Sequence, residues 1–270
     1  MRGFRSRFEF SFVLGGLTAV PLLLFNPLLA FLPLGGFVLL CLTGPFVQRF
    51  SFFLPVVRRG NRDLLEISLT FDDGPDPETT PRLLELLARY GVKGAFFVIG
   101  EKAAAYPDLI REILKEGHEI GNHSATHDVF LMLRGRKQIA AEIKNCQEIL
   151  AGFSITPKAF RPPVGITNPH LRPILKSLEM ACVGFSCRPL DFGNRRISAM
   201  KDKVLHKISA GDIVLLHDCR PMGENTTDQW LQQIEGILLG LQEKELQPVP
   251  LSRLTGSPVM ERLGVSDDSH

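Results

Sequence analysis

Between Glu9 and Arg49 the chain has no Asp, Glu, Lys, Arg or His. So long a stretch without charge excludes an ordinary solvated segment and matches a bilayer, where one helical span takes about 20 apolar residues. The block is too long for a single span and is broken at Asn26-Pro27, so a transmembrane helical hairpin is expected, with helices over residues 10–25 and 28–47 inside an N-terminal anchor of residues 1–50. The first piece is short and carries Pro21, which leaves one span plus an interfacial segment as the alternative. A cleaved signal peptide fits less well, because its apolar region is shorter and ends at a small-residue cleavage site.

Other scarcities exclude other classes. A net charge of +2 over 270 residues, with no basic run interleaved with aromatics, excludes a nucleic-acid partner. The five cysteines have neither the dense spacing of a disulfide scaffold nor a zinc-type Cys-x-x-Cys, and read as small buried hydrophobes. No repeat or low-complexity tract is present, and nothing in the sequence sets the oligomeric state. Arg2, Arg5 and Arg7 precede the apolar block, while Arg49, Arg58, Arg59 and Arg62 follow it. By the positive-inside tendency both flanks lie on the cytoplasmic face of an inner membrane, which a hairpin satisfies and a single span does not.

What is present after residue 62 is a regular alternation of apolar runs and amphipathic stretches. Strands are expected at residues 67–71, 94–99, 119–122, 159–161, 182–186, 213–217 and 248–250, with helices between them. Thr79 or Thr80 should cap the first helix of this series, which has Pro81 in its first turn. This rhythm predicts a parallel sheet, closed as a barrel or open and doubly wound, over residues 63–253. Residues 51–62 read as a linker, and residues 254–270 as a polar tail.

The strand placement gathers chemistry at one rim. Asp72 and Asp73 end the first strand at a Gly-Pro turn, His123 and His127 follow the third, Arg161 ends the fourth, Asp191 follows the fifth and His217 ends the sixth. Two adjacent carboxylates repel unless a cation stands nearby. The four-residue spacing of His123 and His127 would put both imidazoles on one side of a helical turn, and a carboxylate from the Asp-Asp turn would complete a two-His, one-carboxylate set for a divalent metal. Each motif alone has a bland reading: a turn, a surface arginine, a satisfied core histidine.

Thr-Phe-Asp-Asp-Gly-Pro at 70–75, His-Ser-Ala-Thr-His at 123–127, Arg-Pro-Pro-Val-Gly at 161–165 and Leu-Leu-His at 215–217 resemble, in order and spacing, the motifs of the polysaccharide deacetylase family (NodB-homology domain, carbohydrate esterase family 4), over about residues 63–252. The resemblance implies an α/β fold, a distorted (β/α)7 barrel, with Asp73, His123 and His127 on a divalent metal. That metal would most often be Zn²⁺, with Co²⁺, Fe²⁺ or Ni²⁺ also accepted by such a ligand set. It implies Asp72 as general base beside Arg161, the Val164 backbone N–H as oxyanion donor, and His217 as general acid oriented by Asp191. The activity implied is removal of the N-acetyl group from an amino sugar in a polysaccharide, peptidoglycan or lipid-linked glycan. A deformylase using the same site and a silent, membrane-tethered carbohydrate-binding protein are the alternatives. The departures lie in the groove walls: Phe185 and Phe192 at aromatic positions where tryptophan is frequent, Arg188 where a carboxylate is common, and Val164 for a frequent tyrosine.

Overall fold

The computed structural model describes residues 7–43, 51–223 and 226–263. Its strands are β1 (Glu66–Asp72), β2 (Ala95–Val98), β3 (Glu119–Asn122), β4 (Ile155–Pro157), β5 (Ala159–Phe160), β6 (Ala181–Cys182), β7 (Ile213–His217), β8 (Gln247–Pro248) and β9 (Met260–Arg262). Its helices are α1 (Arg7–Phe25), α2 (Pro27–Thr43), α3 (Thr79–Arg89), α4 (Gly100–Ala105), α5 (Pro107–Lys115), α6 (Arg136–Ala151), α7 (Leu171–Ser177), α8 (Met200–Lys207), α9 (Thr227–Glu243) and α10 (Leu251–Thr255).

All seven residues of β1 are buried, as expected of a central parallel strand covered on both faces. Its side chains nevertheless alternate in kind. Ile67, Leu69 and Phe71 join an outer core with Leu83 and Leu86 of α3 and Trp230 and Ile234 of α9. Ser68, Thr70 and Asp72 lie on the opposite, inner face, because successive strand residues point opposite ways. On β2, Phe96 and Val98 pack outward while Ala95 and Phe97 join Ile213 and Val183 in the inner core. Polar residues at alternate positions of an apolar strand therefore mark the barrel interior.

The main sheet runs β6-β5-β3-β2-β1-β7, all parallel, with β8 on the first residues of β1. β6 holds only two residues, fewer than the expected strand at 182–186, and closure passes to the backbone beyond it. The Ser186 N–H donates to Ile213 O at 3.0 Å and the Leu215 N–H donates to Cys187 O at 2.9 Å, beside a bridge from Cys187 to Val214. A barrel closed there by one bridge is the distorted (β/α)7 form.

Residues 51–62 do not hang free as a linker. Phe52, Phe53 and Leu54 are buried, Val57 bridges Val183, and Arg59 bridges Asp212 and pairs with its carboxylate at 2.9 Å. The segment fills the gap that the short β6 leaves. The polar tail is likewise structured at its start: β9 pairs antiparallel with β4, and Met260 packs on the outer core. Residues 264–270 lie outside the described residues.

The N-terminal block folds as two helices meeting at Asn26, whose side-chain oxygen accepts the Leu28 N–H at 3.0 Å. Phe37 of α2 lies against Phe8 and Phe12 near the start of α1, with ring centroids 5.8 and 5.7 Å apart, so the helices run antiparallel. By length and composition α1 is the one helix among the described residues able to cross a membrane, and α2 is a shorter apolar helix. Residues 44–47 of the expected second helix lie outside the described residues. At the foot of the hairpin the Phe8 N–H donates to Phe52 O at 3.0 Å, and its ring meets Phe52 and Phe53.

Candidate active site

Asp72 is the last residue of β1, and its inward direction follows from the alternation above. It is 4 % exposed and bonded by Arg161 Nη1 to Oδ1 at 2.6 Å. Arg161 is itself 1 % exposed and fully engaged. Its Nη1 also donates to Thr70 Oγ1 at 2.8 Å, Nη2 to Gly184 O at 2.9 Å and Nε to Val183 O at 3.4 Å, and the guanidinium lies 4.0 Å from the centroid of the Phe97 ring. A buried guanidinium tolerates loss of water only when its donors are matched this way. The pair thus fixes Asp72 by Oδ1 and leaves Oδ2 toward the cavity, 3.8 Å from His123 Nε2.

Asp73 follows with φ 71, a left-handed turn residue that reverses the chain into Gly74. A Cβ on Gly74 would fall 2.5 Å from Asp218 Oδ2, so the glycine lets the next strand's end close in. Asp218 accepts from the hydroxyls of Thr79 and Thr80 at 2.7 and 2.6 Å. These threonines therefore do not cap α3 with their side chains, as the sequence suggests; Asp76 takes the Glu78 N–H at 2.9 Å instead.

His123 and His127 do come together, with ring centroids 4.9 Å apart, but not on a helical turn. Residues 123–127 form a loop in which Ser124 and His127 both have positive φ, 71 and 57. The Ser124 N–H donates to Asn122 Oδ1 at 2.9 Å and the His127 N–H donates to Ser124 Oγ at 3.1 Å, bonds that replace the helical ladder. His123 Nε2 and His127 Nε2 stand 3.3 and 3.2 Å from Asp73 Oδ1. One atom of each residue lies within 4.8 Å of the others.

The donor set suits a cation. His123 Nδ1 faces Arg161 O at 2.8 Å, and a carbonyl only accepts, so Nδ1 carries the proton and a neutral ring turns its Nε2 lone pair to Asp73. Asp73 Oδ1 is buried with no hydrogen bond of acceptable geometry. Lone pairs converging on one point call for positive charge there. Burial alone would raise the Asp73 carboxyl, but His123 in its protonated form, with charge on His217 and His127, holds it well below the usual carboxylate range. His127 is pushed below its ordinary 6.5 by burial and by His123, which favours the neutral imidazole that binds metals.

Across the cavity His217 ends β7. Its Nδ1 lies 2.7 Å from Oδ2 of Asp191, which is 2 % exposed. Burial lowers the imidazole's proton affinity, yet the bond and charge of Asp191, with the charges of Asp73 and Asp72, raise its pKa to about 9. Val164 sits in a 3₁₀ turn, Pro163–Gly165, with φ 51 and ψ 10, a left-handed conformation that a β-branched residue adopts only under constraint. The cavity, about 630 Å³, is lined by Asp72, Asp73, both metal-type histidines, Arg161, Val164, Asp191 and His217. All eight residues read from the sequence therefore share one space. Phe185, Arg188 and Phe192, which depart from the residues frequent in the family, form part of its wall.

Three supporting residues escape the sequence reading. Thr70 holds Arg161, Lys102 Nζ donates to Asp73 O at 2.7 Å, and Asn194 Nδ2 donates to His217 O at 3.1 Å and Cys219 O at 2.6 Å. Thr70 was open to detection as an inward polar residue on β1. Lys102 lies on α4, a six-residue helix without an apolar period, and nothing in its spacing reveals its target.

A closed parallel barrel carrying a cation-type triad, a buried carboxylate–guanidinium pair and a histidine–carboxylate pair at the ends of its strands defines a (β/α)-barrel hydrolase. Residues 60–183 match the family model described as "Polysaccharide deacetylase". A peptidoglycan-N-acetylglucosamine deacetylase of Bacillus cereus is 34 % identical over 190 residues, covering 70 % of this chain and 87 % of that protein. A chitooligosaccharide deacetylase of Sinorhizobium fredii is 34 % identical over 174 residues, 64 % of this chain and 80 % of its own. A crystallised peptidoglycan N-acetylglucosamine deacetylase superposes with a TM-score of 0.69 at 29 % identity, over 76 % of this chain and 94 % of that one. The chain belongs to the polysaccharide deacetylase family and is a hydrolase of carbon–nitrogen bonds other than peptide bonds.

Proposed function

We propose that this chain is a membrane-anchored, divalent-metal-dependent deacetylase that removes the N-acetyl group of an amino sugar in a glycan. The observation that carries the reading is the meeting of Asp72, Asp73, His123, His127, Arg161 and the His217–Asp191 pair around one cavity. A binding module has no use for an acid and a base on opposite sides of a cation site, which weighs against the silent alternative. Asp73, His123 and His127 would hold the metal, Zn²⁺ first, and when bound it supplies Lewis-acid polarisation of the acyl carbonyl and acidifies water.

The chain's own residues do the rest. Asp72 Oδ2 accepts the proton of the attacking water as its oxygen bonds the acyl carbon, while Arg161 keeps Oδ1 occupied and the carboxylate from rotating. The Val164 N–H receives the charge growing on the carbonyl oxygen. His217, its Nδ1–H held by Asp191, presents Nε2–H to the nitrogen, which takes that proton as the carbon–nitrogen bond breaks. Amine and acetic acid leave, together an ammonium and acetate in water, with Asp72 protonated and His217 neutral; Asp72 then gives its proton to solvent and His217 takes one back.

The apolar hairpin supports a membrane anchor, and the arginines on both sides of it support a cytoplasmic catalytic domain. Arg2, Arg5 and Arg49 of those flanks lie outside the described residues. The full chain in detergent should bind one zinc ion, and a chelator should abolish acetate release from N-acetylated chitooligosaccharides or peptidoglycan fragments, with metal restoring it. Acetate release that persists after the bound metal is gone would refute the metal role. A compartment-specific reporter joined after Leu263, beyond β9, should read cytoplasmic; a periplasmic or extracellular signal would overturn that side of the reading.

A further inference from the structure

We propose that the mouth of this site lies against a bilayer surface and that its substrate is an N-acylated amino sugar carried on a lipid through a phosphate linkage. The chemistry rests on the deacetylase reading above; the substrate class goes beyond it. The observation is a ledge at residues 129–133. Val129, Phe130 and Leu133 are 46, 60 and 78 % exposed, an apolar surface that water does not favour. Between them Leu131 and Met132 turn inward and join the buried cluster that holds Phe52, Phe53 and, from the hairpin, Phe8 and Cys41. The Asn168 side chain donates to Met132 O at 2.9 Å and pins the ledge to the segment before α7. The ledge is therefore built into the same packing unit as the foot of the hairpin.

Three facts select a lipid surface as its occupant. α1 begins at Arg7, one residue before the Phe8 that packs on this cluster, so the bilayer that takes the hairpin ends beside the ledge. Exposed cations follow the apolar residues directly: Arg134, paired with Asp128 at 2.9 Å, then Arg136 and Lys137. Apolar side chains at the acyl boundary with cations beside them are what an anionic lipid interface retains. Finally, Val129 belongs both to the ledge and to the wall of the catalytic cavity. A substrate resting in the bilayer meets the site without crossing water.

The cavity wall fits the linkage. Arg188 and Arg195 line it together with Phe185 and Phe192, and the Arg188 guanidinium lies 5.2 Å from the Phe185 ring centroid. Arginine suits a phosphate ester by its planar fork of donors, and the aromatic surfaces suit a sugar face or the first isoprenoid unit of a lipid. An uncharged glycan polymer has no phosphate for this wall.

The test uses the full chain in vesicles of phosphatidylethanolamine and phosphatidylglycerol. The chain's one tryptophan, Trp230, is buried in the outer core, so Phe130→Trp adds a signal over a constant background. Lipids brominated on the acyl chains should quench that added emission, and should spare Leu239→Trp on α9, exposed outside this cluster. N-acetylglucosaminyl diphosphate polyprenol in the vesicles and soluble N-acetylated chitotetraose are the activity probes. The double variant Phe130→Ser, Leu133→Ser should lower kcat/KM on the vesicle-borne probe by about tenfold or more, the scale of losing buried apolar side chains, with chitotetraose turnover unchanged. An unquenched Phe130→Trp variant would overturn the bilayer contact. Equal loss on both probes, or faster wild-type turnover of chitotetraose than of the lipid-borne sugar, would overturn the substrate class. Quenching with turnover of neither probe would refute the deacetylase reading itself while leaving the bilayer contact standing.

Discussion

Asp72→Asn is expected to lower kcat on an N-acetylated amino sugar by about 10²- to 10⁴-fold, the range for loss of a positioned general base, with little change in KM. The asparagine keeps an oxygen for Arg161 Nη1, now 2.6 Å from Oδ1, so the geometry of the pair survives while the proton acceptor is lost. Bound zinc should stay at one per chain, because Asp72 Oδ2 is 3.8 Å from His123 Nε2 whereas Asp73 Oδ1 is 3.3 Å from it. That separates base from ligand: Asp73→Asn should lose metal and activity together. Wild-type kcat in Asp72→Asn, or loss of its metal, would sink the assignment.

The same pair has a structural consequence. Arg161→Ala would leave the Asp72 carboxylate buried beside Phe97 without its cation, and breaking a buried pair this way costs about 3–5 kcal/mol. Its melting point should therefore fall well below that of Asp72→Asn. Activity lost in Arg161→Ala is then a mixture of unfolding and misplacement, which is why the aspartate variant is the cleaner probe of chemistry.

How much of this was legible in the sequence depends on which forces act locally. β7 announces itself by four successive apolar residues and β1 by the alternation of Ile67, Leu69 and Phe71, and the residues at their ends, Asp72 and His217, follow from that placement; β3, Glu-Ile-Gly-Asn, is legible only by its place in the strand–helix rhythm. The His-x-x-x-His spacing gave the right neighbours by the wrong geometry: Asn122 and Ser124 side chains offer the backbone partners that a helix would otherwise supply. Spacing alone does not report such competition. β4 and β9 are three residues each and pair over about a hundred positions of chain, too short to show a period.

Residues 51–62 were misread because their role is set by an absence elsewhere. β6 stops after two residues, and the Cys182 carbonyl and the Gly184 N–H need partners that the Val57 backbone provides. Composition at 51–62 carries no trace of that need, although Phe52, Phe53 and Leu54 are more apolar than a solvated linker requires. Lys102 and Asn194 were hidden for a related reason: each bonds a backbone carbonyl at the site, and any residue of the right reach could be placed there by tertiary structure alone.

The His217–Asp191 pair makes a second prediction of comparable size, in pH rather than in rate alone. The acid must carry its proton at the moment the carbon–nitrogen bond breaks, so activity persists below its pKa and is lost as pH rises through it. With Asp191 in place that value stands at about 9, and the enzyme should hold its acid through neutral pH. Asp191→Asn removes the nearest negative charge and leaves at most a neutral hydrogen bond, whereas the burial that lowers proton affinity remains. The alkaline limb of kcat/KM should therefore move down by more than a pH unit, toward the ordinary histidine value of 6.5. At pH 8 the variant should be slower by about tenfold or more, and part of that loss should return on acidification. His217→Gln should lose about 10²- to 10⁴-fold and show no alkaline limb from this group at any pH. If Asp191 only braced the fold, its substitution would lower activity by the same factor at every pH, and an unmoved alkaline limb in Asp191→Asn would reject the acid–orienter pair.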